Sequence, residues 1–230
     1  MKVLQVVRAG LIAYGKMLAF QQQYLKMRQA DEVEDLLILC EHPPVITLGK
    51  HARRSNILYS DEYLHQQGIE IFPITRGGDV TFHGPGQLVG YPIVHLKNWD
   101  NSIKLFVELV EESIIHCLAQ YYQIQAQRIQ GLTGVWVAEE KITAIGFAVQ
   151  KWVTMHGFAF NISTDLNFFH YITPCGIVDK GVTSLAQLLA NPVEMNLVMD
   201  QLLESISKVM SCQIRELPLN TFMQKVSLHE

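Results

Sequence analysis

The chain has 230 residues, is 49% hydrophobic and carries a formal net charge of -4. This composition excludes a disordered chain and the broad basic excess of a general nucleic-acid binder, and the length suffices for a real core. No stretch approaches the roughly 18 consecutive apolar residues of a membrane span, and Arg8 interrupts the short apolar run at the start, so a soluble, cytoplasmic protein with no membrane partner is expected.

In chain order, Val3 to Val7 predicts a strand. Leu11 to Arg28, with Tyr14, Leu18, Phe20 and Leu25 near helical spacing, predicts a helix. Asp35 to Cys40 predicts a buried strand, broken by Pro43-Pro44, and Val45 to Leu48 a second one that ends at Gly49. Ile69 to Thr75 and Leu88 to Leu96 predict strands on either side of a glycine-rich segment, Arg76 to Gln87. Ser102 to Tyr122 is the clearest helix, with Ser102 as cap and Ile103, Phe106, Val107, Val110, Ile114 and Leu118 on one face. Gly134 to Ala138, Lys141 to Gln150 and Trp152 to Ile162 predict an antiparallel meander, with Glu139-Glu140 as its first turn. Ser184 caps a short helix, and a longer one runs from Pro192 to Met210. The last dozen residues read as a small extension. Strands and helices that mix without strict alternation predict an α+β domain with a largely antiparallel sheet flanked by helices, and we expect residues 1–230 to form one domain.

Four cysteines lie far apart, with no C-x-x-C pair and no zinc spacing, so neither a disulfide framework nor a metal site is expected. Cys40, Cys117 and Cys212 fall in apolar runs or at a helix end and read as inert. Cys175 sits between Pro174 and Gly176 in a loop, where its sulfur could be approached. A thiolate nucleophile needs a cation or base nearby, and Lys141, His83, His156 and Lys180 are candidates. Lys141 also fits a solvated lysine beside a hairpin turn. The segment Arg76-Gly77-Gly78-Asp79-Val80-Thr81-Phe82-His83-Gly84-Pro85-Gly86-Gln87 holds four glycines and a proline in twelve residues. It brings backbone close to a ligand, or else forms two consecutive tight turns with Arg76 solvated. The phosphate-loop and dinucleotide spacings are absent. In His156-Gly157-Phe158-Ala159-Phe160-Asn161, small residues alternate with phenylalanines, leaving room for a ligand chain or for close packing. Lys50, His51, Arg53 and Arg54 form a basic loop, either solvated or a dock for an acidic partner.

Taken together these segments resemble the lipoyl(octanoyl) transferase family. The motifs are R-G-G-x-x-T-x-H-G-P-G-Q at Arg76 to Gln87 and G-V-W-V with K-I at Gly134 to Ile142. A-I-G at Ala144 to Gly146, H-G-F-A at His156 to Ala159, P-C-G-I at Pro174 to Ile177 and D-K-G-V-T-S-L at Asp179 to Leu185 complete them. The resemblance implies the fold of biotin protein ligases and lipoate-protein ligases. It implies transfer of octanoyl from octanoyl-acyl carrier protein to a lysine of lipoyl domains or of the glycine-cleavage H protein, without a cofactor. By position, it implies Cys175 as acyl-thioester nucleophile and Lys141 as the residue that lowers its pKa. Arg76, Gly77, Gly78, Asp79, Val80, Thr81, Phe82 and His83 look like one substrate-binding segment, Ala144, Ile145 and Gly146 a second, and Gly157, Phe158 and Ala159 a third. An ATP-dependent lipoate-protein ligase of the same fold is the alternative, and it would need no cysteine nucleophile.

Overall fold

The computed structural model describes residues 2–173 and 180–227. The first strand, β1 (Lys2–Leu11), lies next to one edge of the main sheet, and α1 (Tyr14–Gln29) covers that sheet. Residues from Leu11 to Ala13, expected to be helical, instead finish β1 and turn into α1, because Leu11 is held in register with Glu41. β2 (Leu36–Glu41) runs parallel to β1. A small second sheet follows, in which β3 (Val45–Leu48) lies between β4 (Glu70–Pro73) and β5 (Val80–His83). The helix α2 (Asp61–Gln66), capped by Ser60, crosses between β3 and β4. β5 lies inside the glycine-rich segment, so only its two ends are turns. Val80 and Phe82 are buried, and that alternation builds a strand.

β6 (Gln87–Ile93) returns to the main sheet and is buried throughout. α3 (Ile103–Tyr122) starts on Ser102, whose hydroxyl accepts the Leu105 N–H at 3.2 Å. The short β7 (Gln127–Ile129) leads into the meander of β8 (Leu132–Val137), β9 (Glu140–Gln150) and β10 (Val153–Asn161). The first meander turn is Ala138-Glu139, not Glu139-Glu140, since Glu140 pairs with Val137. The second is Lys151-Trp152, both at positive φ (47° and 65°), the backbone that a two-residue hairpin requires. β11 (Gly181–Val182) then lies parallel to β9.

α4 (Leu185–Leu189) begins on Ser184, whose hydroxyl accepts the Gln187 N–H. α5 (Met195–Met210) packs beside α3. The C-terminal residues are not an appendage. β12 (Cys212–Glu216) pairs parallel with β1, and α6 (Leu219–Ser227) places Phe222 5.8 Å from the Phe20 ring of α1.

Among the described residues the main sheet runs β12-β1-β2-β6-β10-β9-β8-β7, with β11 on β9. α3 and α5 close one face over Leu37, Phe158 and Phe160. α1 and α6 close the other over Ile38, Val89 and Met155. The architecture is α+β, a mixed sheet flanked by helices, as expected. No helix among the described residues is long and apolar enough to cross a membrane.

Candidate active site

A cleft of about 900 Å³ opens where β6, β10 and β9 meet the glycine-rich segment and the start of α3. Of the residues singled out from sequence, Arg76, Gly77, Gly78, Val80, Thr81, His83, Lys141, Ala144, Ile145, Gly146, Gly157, Phe158 and Ala159 line it. Asp79 and Phe82 do not. The Asp79 carboxylate accepts the Val80 N–H at 2.7 Å and the Asn56 side-chain amide at 2.5 Å, which ties down the loop behind the cleft. Phe82 is fully buried and stacks on Phe168 at 4.8 Å. Cys175 lies outside the described residues, as do Pro174 and Gly176 to Asp179.

The Arg76–Gly78 loop is held by backbone on two sides. Gly77 N–H donates to the Phe147 carbonyl at 2.9 Å, and Lys50 N–H donates to the Arg76 carbonyl at 3.0 Å. A side chain at Gly146 would meet the Gly77 carbonyl at 3.0 Å, so Gly146 lets β9 and this loop touch. Arg76 is buried, and its guanidinium donates to the carbonyl and hydroxyl of Thr47 at 2.8 and 3.0 Å.

Three buried histidines surround this floor. His42 Nδ1–H donates to the Ile12 carbonyl, so its Nε2 accepts the Tyr91 hydroxyl at 2.7 Å. His83 Nδ1 and Gln87 Oε1 are 2.8 Å apart. The Gln87 amide donates to Asn161 Oδ1 at 2.9 Å, and the Asn161 amide donates to the Thr183 carbonyl at 3.0 Å. That direction makes Gln87 Oε1 the acceptor and places the His83 hydrogen on Nδ1. Burial pushes His83 down to about 3, with the neighbouring His42 adding to it. Burial also pushes His42 to about 4, and burial with the nearby Arg76 guanidinium pushes His156 to about 4. All three are therefore neutral at pH 7.

His156 sits at φ 61° inside β10, a conformation that costs a β-carbon about 1–2 kcal/mol. Its N–H is taken by the Gln21 side chain at 3.1 Å. The kink has a cause in β6. Pro92 has no N–H to offer β10, and the Thr154 hydroxyl bridges instead, donating to the Pro92 carbonyl and accepting the Val94 N–H. Gly157 follows because a side chain there would lie 2.0 Å from the Gly90 carbonyl. The small residues of this strand thus serve strand packing as well as the cleft.

Lys141, the second residue of β9, is half-buried and opposite Trp136 in register, with its ammonium 4.7 Å from the indole centroid. On its other side Val182 is its parallel partner, and Thr183 N–H donates to the Lys141 carbonyl at 3.1 Å. Sequence reasoning did not single out Tyr91 or Asn161 as site residues, nor the outer wall built on Glu111. Glu111 is buried and accepts the Arg128 guanidinium at 3.0 Å and the Gly134 N–H at 2.9 Å. The available signal was a carboxylate four residues after Val107, on the apolar face of α3.

A family profile for the lipoyl protein ligase A/B catalytic domain matches residues 13–207. An octanoyltransferase of Desulforamulus reducens is 48% identical over 204 residues, covering 89% of this chain and 90% of that one. An octanoyltransferase of Caldicellulosiruptor saccharolyticus is 47% identical over 228 residues, covering 99% and 94%. Among solved structures, a bipartite lipoate protein ligase of Thermoplasma acidophilum superposes with a TM-score of 0.77 at 15% identity, over 99% of this chain and 92% of that one. The biotin protein ligase of Aquifex aeolicus gives 0.52 at 12% identity, over 92% and 70%. These two likenesses establish the shared fold.

Proposed function

The chain belongs to the lipoyl protein ligase A/B catalytic domain family and, within it, to the octanoyltransferases, and from that premise we propose that it moves octanoyl from octanoyl-acyl carrier protein to a protein lysine through an acyl-Cys175 thioester. The observation that carries the reading is the pairing of Val182 with Lys141, because β11 begins only a few residues after Cys175. In this reading residues 1–230 act as one catalytic domain in the cytoplasm. The acceptors are lipoyl domains and the glycine-cleavage H protein.

Lys141 in its ammonium form favours the Cys175 thiolate, at about 1.4 kcal/mol per pKa unit. The thiolate attacks the thioester carbonyl, and collapse of the tetrahedral adduct expels the carrier thiolate, which takes the Lys141 proton. Neutral Lys141 then accepts a proton from the ammonium of the acceptor lysine. The free amine attacks acyl-Cys175, the C–S bond breaks, and the Cys175 thiolate leaves. The second amine proton goes to solvent, and the thiolate–ammonium pair is restored. Thioester exchange is nearly thermoneutral and amide formation runs downhill, so no ATP is consumed.

Arg76 to His83, Ala144 to Gly146 and Gly157 to Ala159 hold the acyl group, with Asp79 and Phe82 supporting the first segment from behind. Each buried methylene contributes about 0.8 kcal/mol to chain-length selection. The test is mass spectrometry after mixing enzyme with octanoyl-carrier protein and no ATP. Wild type gains one octanoyl group on Cys175, and Cys175→Ser gains none and transfers none. Full transfer by Cys175→Ser, or transfer only with free octanoate and ATP, overturns the reading.

A further inference from the structure

Trp136 is among the largest fully buried side chains, yet it stands outside the core cluster that holds its strand neighbour Val135. Its Nε1–H donates to the Leu132 carbonyl at 3.0 Å, which fixes the ring plane. Two ammonium groups approach that ring, Lys141 at 4.7 Å and Lys180 at 5.9 Å from its centroid. Lys180 also pairs with Glu139 in the turn between β8 and β9. It is the first described residue after the segment that holds Cys175.

We propose that Trp136 is a positioning residue for Lys141, its fixed indole face holding the ammonium where it can act on the Cys175 thiolate. A lysine reaches its charge through a four-carbon stem with many rotamers. An aromatic face attracts an ammonium through its quadrupole and takes no proton from it. An indole therefore orients Lys141 and favours its charged form without offering a competing base. Gly134, two residues earlier at φ 128°, shapes the same strand: a side chain there would lie 2.4 Å from the Thr143 carbonyl and 3.5 Å from Lys141 Cε. The Glu111 carboxylate accepts the Gly134 N–H and fixes that backbone from the α3 side. The proposal rests on the reading that Lys141 activates Cys175.

The experiment is the pH profile of iodoacetamide alkylation at Cys175, run on wild type, Trp136→Phe, Trp136→Leu and Lys141→Ala, with thermal unfolding of each. Trp136→Phe keeps an aromatic face and is expected to stay near wild type. Trp136→Leu is expected to move the Cys175 profile to higher pH and to slow alkylation at pH 7 by about three- to tenfold. In the Lys141→Ala background, Trp136→Leu adds no further shift. Should Trp136→Leu not fold, fluorinated indoles placed at position 136 weaken the ring face at nearly constant shape and are expected to give a graded shift. A Lys141→Ala profile that shifts beside unshifted Trp136→Leu and fluorinated profiles overturns the role of Trp136 alone. A Lys141→Ala profile that does not shift overturns the activation reading, and the role of Trp136 with it.

Discussion

Val182 is the parallel register partner of Lys141, and the next residue donates its N–H to the Lys141 carbonyl at 3.1 Å. β10 occupies that edge of β9 only as far as the Phe160–Thr143 pair, and β11 takes the place beyond it. Lys141 is therefore built in from both sides, by Trp136 across the hairpin and by the strand that follows the cysteine segment. Thr183 also accepts from Asn161, so the same short strand is tied to the His83–Gln87–Asn161 chain. Residues from four distant parts of the sequence are thereby fixed against one another by direct hydrogen bonds.

Alkylation at neutral pH is expected to modify Cys175 selectively. Cys40, Cys117 and Cys212 are buried, and burial pushes Cys117 up to about 12 and Cys212 to about 11. Labelling followed by peptide mapping checks this, and Cys175→Ser is expected to remove the label. Lys141→Ala is expected to slow the reaction of Cys175 about tenfold, the effect of one pKa unit. An unchanged rate would remove Lys141 as activator.

Gly146→Ala is expected to impair activity more than stability. Its new methyl would press on the Gly77 carbonyl at 3.0 Å and on Arg76 Cδ at 3.2 Å, so the Arg76–Gly78 loop must shift by a few tenths of an ångström. Steady-state kinetics should show kcat/KM down about tenfold, with the unfolding midpoint nearly unchanged.

Gly157→Ala is expected to behave in the opposite way. Its methyl would lie 2.0 Å from the Gly90 carbonyl and 2.7 Å from Pro92 Cδ, both in the buried strand β6. Nothing there is a flexible side-chain end. Denaturant unfolding should show a loss of about 3 kcal/mol or more, or no soluble protein.

Asn161→Ala is expected to cost about 1–3 kcal/mol, because it leaves the buried Gln87 amide with only the Phe82 carbonyl as acceptor and removes the side-chain donor to the Thr183 carbonyl. Urea titration measures it. A change below about 0.5 kcal/mol would mean that the chain from His83 to Thr183 contributes little.

Acid should destabilise the fold through its histidines. His42, His83 and His156 stay neutral in the fold to about 4, 3 and 4, while in the unfolded chain they take up protons below about pH 6.5. The unfolded state binds more protons in that window, so stability is full above about pH 6.5 and falls as the pH drops toward 4. Each histidine contributes a slope of about 1.4 kcal/mol per pH unit. Urea midpoints at pH 7, 6 and 5 check the sign, and His42→Gln should make the decline shallower.

Much of this fold can be read from periodicity and capping, and the reasons are local. Ser102 and Ser184 start helices because a hydroxyl satisfies an N–H three residues on. The meander shows itself through alternation and short polar turns. The motifs around Arg76, Lys141 and Cys175 mark candidate chemistry by residue type and order along the chain. What the chain alone does not disclose is every relation set by contact between distant segments. Asp79 and Phe82 lie in the glycine-rich segment, yet one anchors a loop and the other packs on Phe168. β12 is short and polar at its exposed positions, so its place beside β1 follows from parallel pairing and not from pattern. Lys141 reads as a solvated hairpin lysine until the indole of Trp136 and the strand at Val182 close around it. Periodicity is a property of neighbours in sequence, whereas the environment of an ammonium group depends on which distant backbone and ring are brought within a few ångströms of it.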